Sequence, residues 1–101
     1  MTPVRYHQAA EDELLAEIGY FELRVRGLGR RFYSEVRKAE ERIGRFPQSA
    51  PEVAPGIRKC NLPKFPFSIL YSIEKDGVLI LAVAHHRRRP RYWWSRVGGQ
   101  E

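Results

Sequence analysis

The sequence predicts an α+β domain: a helical hairpin packed on a small, mostly antiparallel four-stranded sheet, in the order β-α-α-β-β-β. Three observations carry that expectation. Two stretches near the N-terminus place apolar residues at alternating spacings of four and three. From residue 57 the apolar period falls to two. An Asp-Gly pair then separates two strand-like runs, a strong hairpin signal because both residues tolerate positive φ. A chain of 101 residues fits one domain, so residues 1–101 read as a single unit with no repeat or low-complexity segment.

Taken in order, "PVRYH" at 3–7 alternates weakly and reads as a short strand. "AAEDELLAEIGYFELRVRGLG" then carries Leu14, Ile18, Phe21, Val25 and Leu28 on one helical face. Glu11, Asp12 and Glu13 crowd its first turn, where carboxylates oppose the positive end of the helix dipole. Gly19 interrupts the pattern at a cost of about 1 kcal/mol relative to alanine. "RGLG" at 26–29 is read as the break between helices. A second stripe follows at Phe32, Val36, Ala39, Ile43 and Phe46, and Pro47 ends it. "PQSAPEVAPG" holds three prolines and reads as a loop. "IRKCNLP", "FSILYSI" and "GVLILAVAH" are the remaining strands, the last nearly all apolar and so central in the sheet.

The formal charge is +6, and its distribution is uneven. Residues 1–52 hold nine basic and nine acidic side chains; residues 53–101 hold nine basic and three acidic ones, Glu74, Asp76 and Glu101. The whole excess therefore lies in the second half, which suits nucleic acid or an acidic protein partner. The lone Cys60 excludes an internal disulfide and any multi-cysteine metal site. No long apolar run marks a signal peptide or a membrane span, so a cytoplasmic protein without membrane contact is expected.

The strongest strand runs directly into "HHRRRPRYWW" at 85–94. Strand parity puts His85 on the face of Leu79, Leu81 and Val83, with His86 pointing the other way. Pro90 sets a new direction, and Tyr92, Trp93 and Trp94 can fold back as a short turn or helix. The two tryptophans read as caps on the core more readily than as a base-stacking platform, which a sheet face usually presents. Arg87, Arg88 and Arg89 read either as solvated surface or as a contact for a target or partner. Arg88 has a third reading, stacked on Tyr92 or Trp93. Adjacent histidines on a strand face opposite ways, so no metal site is expected.

These residues together resemble the RelE/ParE superfamily of toxins from bacterial type II toxin–antitoxin systems. The ordered set is Gly27-Leu28-Gly29, Phe32, Val36, Ile57-Arg58, the run Phe65-Pro66-Phe67-Ser68-Ile69-Leu70-Tyr71, and His85, Arg88, Pro90, Tyr92 and Trp93. The resemblance implies a growth-inhibiting toxin, neutralised by a cognate antitoxin with an acidic C-terminal segment, and needing no cofactor. ParE-like members act on DNA gyrase and serve plasmid stabilisation; RelE-like members cut messenger RNA on the ribosome without metal. If the chain is a ribonuclease, Lys59, His85, Arg88 and Tyr92 are its candidate catalytic residues. In either case Arg58, Lys59, Lys64, Arg87, Arg88 and Arg89 are candidate target- or antitoxin-binding residues. His85, Pro90, Tyr92 and Trp93 form a candidate structural corner. Ser68 stands where the ribonucleases carry an arginine and Asn61 where a lysine can stand, so the reading leans to gyrase inhibition, with the messenger-RNA endoribonuclease as the alternative.

Overall fold

The structure, a computed structural model, describes residues 1–98, so Glu101 lies outside the described residues. Five strands and two helices follow one another as β1 (Val4–Tyr6), α1 (Gln8–Arg24), α2 (Leu28–Arg45), β2 (Glu52–Ala54), β3 (Ile57–Asn61), β4 (Phe67–Glu74) and β5 (Gly77–His85), and a 3-10 turn closes the chain at Trp94–Arg96. The sheet order is β1-β5-β4-β3-β2, with β1 parallel to β5 and every other pairing antiparallel. The expected class holds, with five strands in place of four. The extra strand is β2, cut from the proline loop. It pairs with β3 through only two registered positions, too short a ladder to leave a period in the sequence.

His7 starts α1, its Nδ1 accepting the Ala9 N–H at 3.1 Å. Leu14 is buried and Ile18 and Phe21 are half-buried, but α1 ends at Arg24, so Val25 falls past the stripe and is exposed. The break lies earlier than "RGLG" suggested. Gly27 takes the left-handed conformation at φ 86°, and Leu28 and Gly29 already belong to α2. A Cβ on Gly29 would stand 2.5 Å from the Ile18 carbonyl oxygen, so Gly29 is where the two helices touch backbone to backbone. On α2, Phe32, Val36, Ala39 and Ile43 are buried as the stripe requires, while Phe46 caps the helix and is exposed. Each large side chain so buried contributes about 1.5–3 kcal/mol.

The helices cover one sheet face. Phe21, Phe32, Phe65 and Phe67 pack there at centroid distances of 5.0–5.9 Å, edge to face except for the tilted Phe21–Phe32 pair. The opposite face carries Ile57, Leu70, Leu79, Leu81 and Ala84 and is capped by Trp93. Between these layers β5 has one residue more than β4: Leu70 pairs with Ala82 and Tyr71 with Ile80, so Leu81 is extra. Such a bulge reverses the alternation of side chains. His85 and Val83 therefore lie on the helix-covered side, His85 against the Phe67 ring at 4.9 Å, whereas Leu79 and Leu81 lie on the other. The parity expected for His85 is corrected by that single residue.

Candidate functional site

The site grows from the end of β5. The short strand β1 stops at Tyr6, opposite Ile80, which leaves the outer edge of β5 without a partner from Leu81 onward. Bare strand groups need partners, and two side chains supply them. Val83 N–H donates to Glu13 Oε1 at 3.0 Å, and Arg96 Nη1 donates to the Leu81 carbonyl at 2.9 Å. The same two side chains meet each other, with Arg96 Nη2 at 3.0 Å from Glu13 Oε2 and both largely buried, and Tyr92 Oη donates to that carboxylate at 2.8 Å. Burial first, and then the Glu13 carboxylate, pushes the Tyr92 phenol well above its ordinary range. Helix α1, the sheet edge and the C-terminal segment are thus latched together at Glu13. Sequence reading placed Glu13 among the dipole-opposing acids and did not single out Arg96; 83 positions separate the pair, and no local pattern joins them.

The latch holds a turn that carries the arginines. Arg88 N–H donates to the His85 carbonyl at 3.0 Å, and Arg91 adopts a left-handed φ of 60° just after Pro90. The Arg88 guanidinium lies over the Tyr92 ring at 3.8 Å, the stacked arrangement considered from sequence. Trp93 is buried as a cap, but Trp94 is 45% exposed, so only one of the two tryptophans caps the core. The 3-10 turn begins at Trp94 and rotates it outward against Arg91.

Under this turn lies a concavity of about 240 Å³ on the face away from the helices. Lys59, Arg88 and Tyr92, scattered along the sequence, line it, and His85 borders it at the strand end with its ring packed on the helix-covered side against Phe67. Two of its lining residues belong to a polar knot: Ser68 Oγ donates to Asn61 Oδ1 at 2.6 Å and lies 2.9 Å from His86 Nε2, which is therefore the donor in that contact. His85 accepts the Arg87 N–H on Nδ1 at 2.9 Å and packs on Phe67 at the end of β5.

The expected binding residues divide. Lys59, Arg88 and Arg89 are exposed and line the concavity, and Arg87 is exposed beside them in sequence. Lys64 is exposed and stands 3.9 Å from Glu35. Arg58 is half-buried and tied to its own chain. It donates to the Gln48 and Ala50 carbonyls at 3.0 and 2.7 Å and pairs with Glu52 at 3.6 Å, so it pins the proline loop. No helix among the described residues is long and apolar enough to cross a membrane.

A two-helix hairpin on a mixed sheet, with a basic concave face closed by a C-terminal turn, defines a small α+β domain. The profile of the ParE toxin of the type II toxin–antitoxin system parDE matches residues 4–90, and the chain belongs to that family. A toxin of this kind is paired with an antitoxin. Among solved structures, a chain of the chromosomal ParDE toxin–antitoxin system from P. aeruginosa superposes with a TM-score of 0.61 at 20% identity, over 84% of this chain and 96% of that one, a likeness of fold. No curated protein matches the chain.

Proposed function

We propose that this toxin arrests growth by binding DNA gyrase in the cytoplasm, with Lys59, Lys64 and Arg87 to Arg89 as its contact surface and no RNA chemistry of its own. Its cognate antitoxin lays an acidic C-terminal segment over the same cations, and a system of this kind would serve plasmid stabilisation. One observation carries the preference for a protein target: the Tyr92 hydroxyl donates to the Glu13 carboxylate, a group that does not line the concavity. Cleavage of RNA needs a base for the 2′-OH and an acid for the leaving oxygen. Here the tyrosine is committed to the latch, Arg88 is stacked, and Ser68, Asn61 and His86 bind one another.

The second reading, a ribosome-dependent ribonuclease, is favoured by the convergence of Lys59, His85, Arg88 and Tyr92 on one concavity. Purified toxin added to gyrase supercoiling assays and, separately, to messenger RNA in programmed ribosomes tells the two apart. Inhibited supercoiling with intact RNA is the expected result; untouched supercoiling with cut RNA reverses the assignment. The antitoxin has a second foothold in the outer groove between α1 and α2, where Leu15 and Tyr33 are exposed beside Tyr6 and Ile18. Coupled folding of its tail costs a few kcal/mol, so apolar anchors of this kind carry much of the affinity.

A further inference from the structure

The fold redistributes charge in a way the two halves of the sequence conceal. Residues 23–31, "LRVRGLGRR", hold four arginines and no acid, yet they belong to the half whose charges cancel. Helix α1 runs alongside β5 in the same sense: Glu13 meets Val83, and Glu17 lies near His85 and Arg88 one turn further on. Phe21 reaches Phe65 and Phe67, and Phe67 pairs with His85. The α1–α2 tip therefore lies at the same end of the molecule as Lys64 and the arginines after His85. Glu74 and Asp76, at the β4–β5 turn, lie at the other end.

The tip is built stiffly. The Glu22 carboxylate accepts the Gly27 and Gly29 N–H groups at 2.9 and 3.0 Å, and the Gly27 bond above all holds its pKa below the ordinary value. Gly27 supplies the left-handed turn and Gly29 the helix contact. Arg30 also acts on the Glu22 carboxylate through its charge, and among the described residues no ion pair within 4 Å holds Arg24, Arg26, Arg30 or Arg31. On this rigid turn sit three large apolar side chains that the core does not use: Leu23 is 91% exposed, Val25 57% and Tyr20 50%, with Arg24 over the Tyr20 ring. Arginine and tyrosine around an aliphatic centre is the composition of a protein interface. Phosphate recognition would account for the arginines but leaves Leu23 and Val25 in water.

We infer that the hairpin tip is the apolar centre of the target interface: Leu23, Val25 and Tyr20 enter an apolar cleft on an acidic protein surface, and the tip arginines continue the contact begun by Arg87 to Arg89. This rests on the gyrase reading and assigns that interface a second, N-terminal half. Leu23 and Val25 are too exposed for their truncation to disturb the core, so they are clean probes. The arginines steer the encounter and set its salt dependence.

The test uses purified full-length toxin and gyrase holoenzyme, with binding followed by biolayer interferometry and inhibition by a supercoiling assay. L23S with V25S should weaken gyrase binding at least about tenfold, mostly through faster dissociation, with an unchanged melting temperature. R26E with R30E should slow association and flatten its salt dependence. Gyrase affinity and rates equal to wild type in both variants would overturn the inference while leaving the gyrase reading intact. So would a loss confined to duplex DNA or to vesicles of anionic lipid, run as parallel arms. Wild-type toxin that fails to bind gyrase at all removes the reading beneath, and this inference with it.

Discussion

Glu13→Ala removes a carboxylate that receives four hydrogen bonds: one from Val83 N–H, one from Tyr92 Oη and two from Arg96. The Glu13 and Arg96 side chains are only 17% and 16% exposed, closer to a buried pair than to a surface one. Surface pairs contribute about 0–1 kcal/mol. Removing one partner of a buried pair costs about 3–5 kcal/mol, because the other is left uncompensated. Arg96 keeps the Leu81 carbonyl, but Val83 N–H and the Tyr92 hydroxyl lose their partner. A cost of about 3 kcal/mol follows. For a domain of this size that lowers the melting temperature by about 12 °C or more. Glu13→Gln keeps the acceptor oxygen and loses the charge, so its effect should be smaller. Thermal melts of Glu13→Ala, Arg96→Ala and the double variant give the coupling, and hydrogen exchange reports the Val83 amide directly. A Glu13→Ala protein that melts within about 3 °C of wild type, with Val83 still protected, would refute the latch.

Two glycine substitutions on adjacent helices should act in opposite directions. Gly19→Ala adds a methyl group into open space in mid-helix and should stabilise by up to about 1 kcal/mol. Gly29→Ala drives Cβ onto the Ile18 carbonyl and should cost about 2 kcal/mol net; equal melting temperatures would remove the close helix contact from the account. Burial, which outweighs the favourable Arg88 charge, raises the pKa of Glu17, so its charged form destabilises the fold above the folded pKa and that penalty fades as pH falls toward the unfolded value. Glu17→Gln should therefore be more stable than wild type at pH 7 and indistinguishable from it near pH 4; a difference that grows on acidification contradicts this sign. Arg87→Glu with Arg89→Glu should slow antitoxin association and flatten its salt slope with the fold intact, and an unchanged on-rate would make the arginine run plain solvated surface.

Most of the architecture could be read from local pattern. The stripe Phe32-Val36-Ala39-Ile43 names its own helix and its buried face, and Asp76-Gly77 names the β4–β5 turn. The "HHRRRPRYWW" stretch announced a corner, and Trp93 and the stacked Arg88 occupy it as expected. Other features were illegible for definite reasons. The strand β2 is too short to show a period. The extra residue at Leu81 hides inside a uniformly apolar run, where parity cannot be checked, and it alone turned His85 to the other face. Arg58 looks like any exposed cation until the proline loop folds over it.

Sequence by itself determined what depends on neighbours along the chain: the helices, the hairpin turn, the central strand, the cations near the C-terminus, and the ordered motif set that marks the toxin family. Tertiary structure alone decided what depends on distant residues meeting. Glu13 became the partner of Arg96 only because β1 stops short and leaves the β5 edge unpaired. Lys59, His85, Arg88 and Tyr92 came to share one concavity because β3 and β5 flank β4. The arginines of the hairpin joined those after His85 because α1 runs in the same sense as β5. Local pattern records which face a residue presents; it does not record which end of the molecule that face will share with another segment, because pairing and chain direction are settled only when the sheet closes.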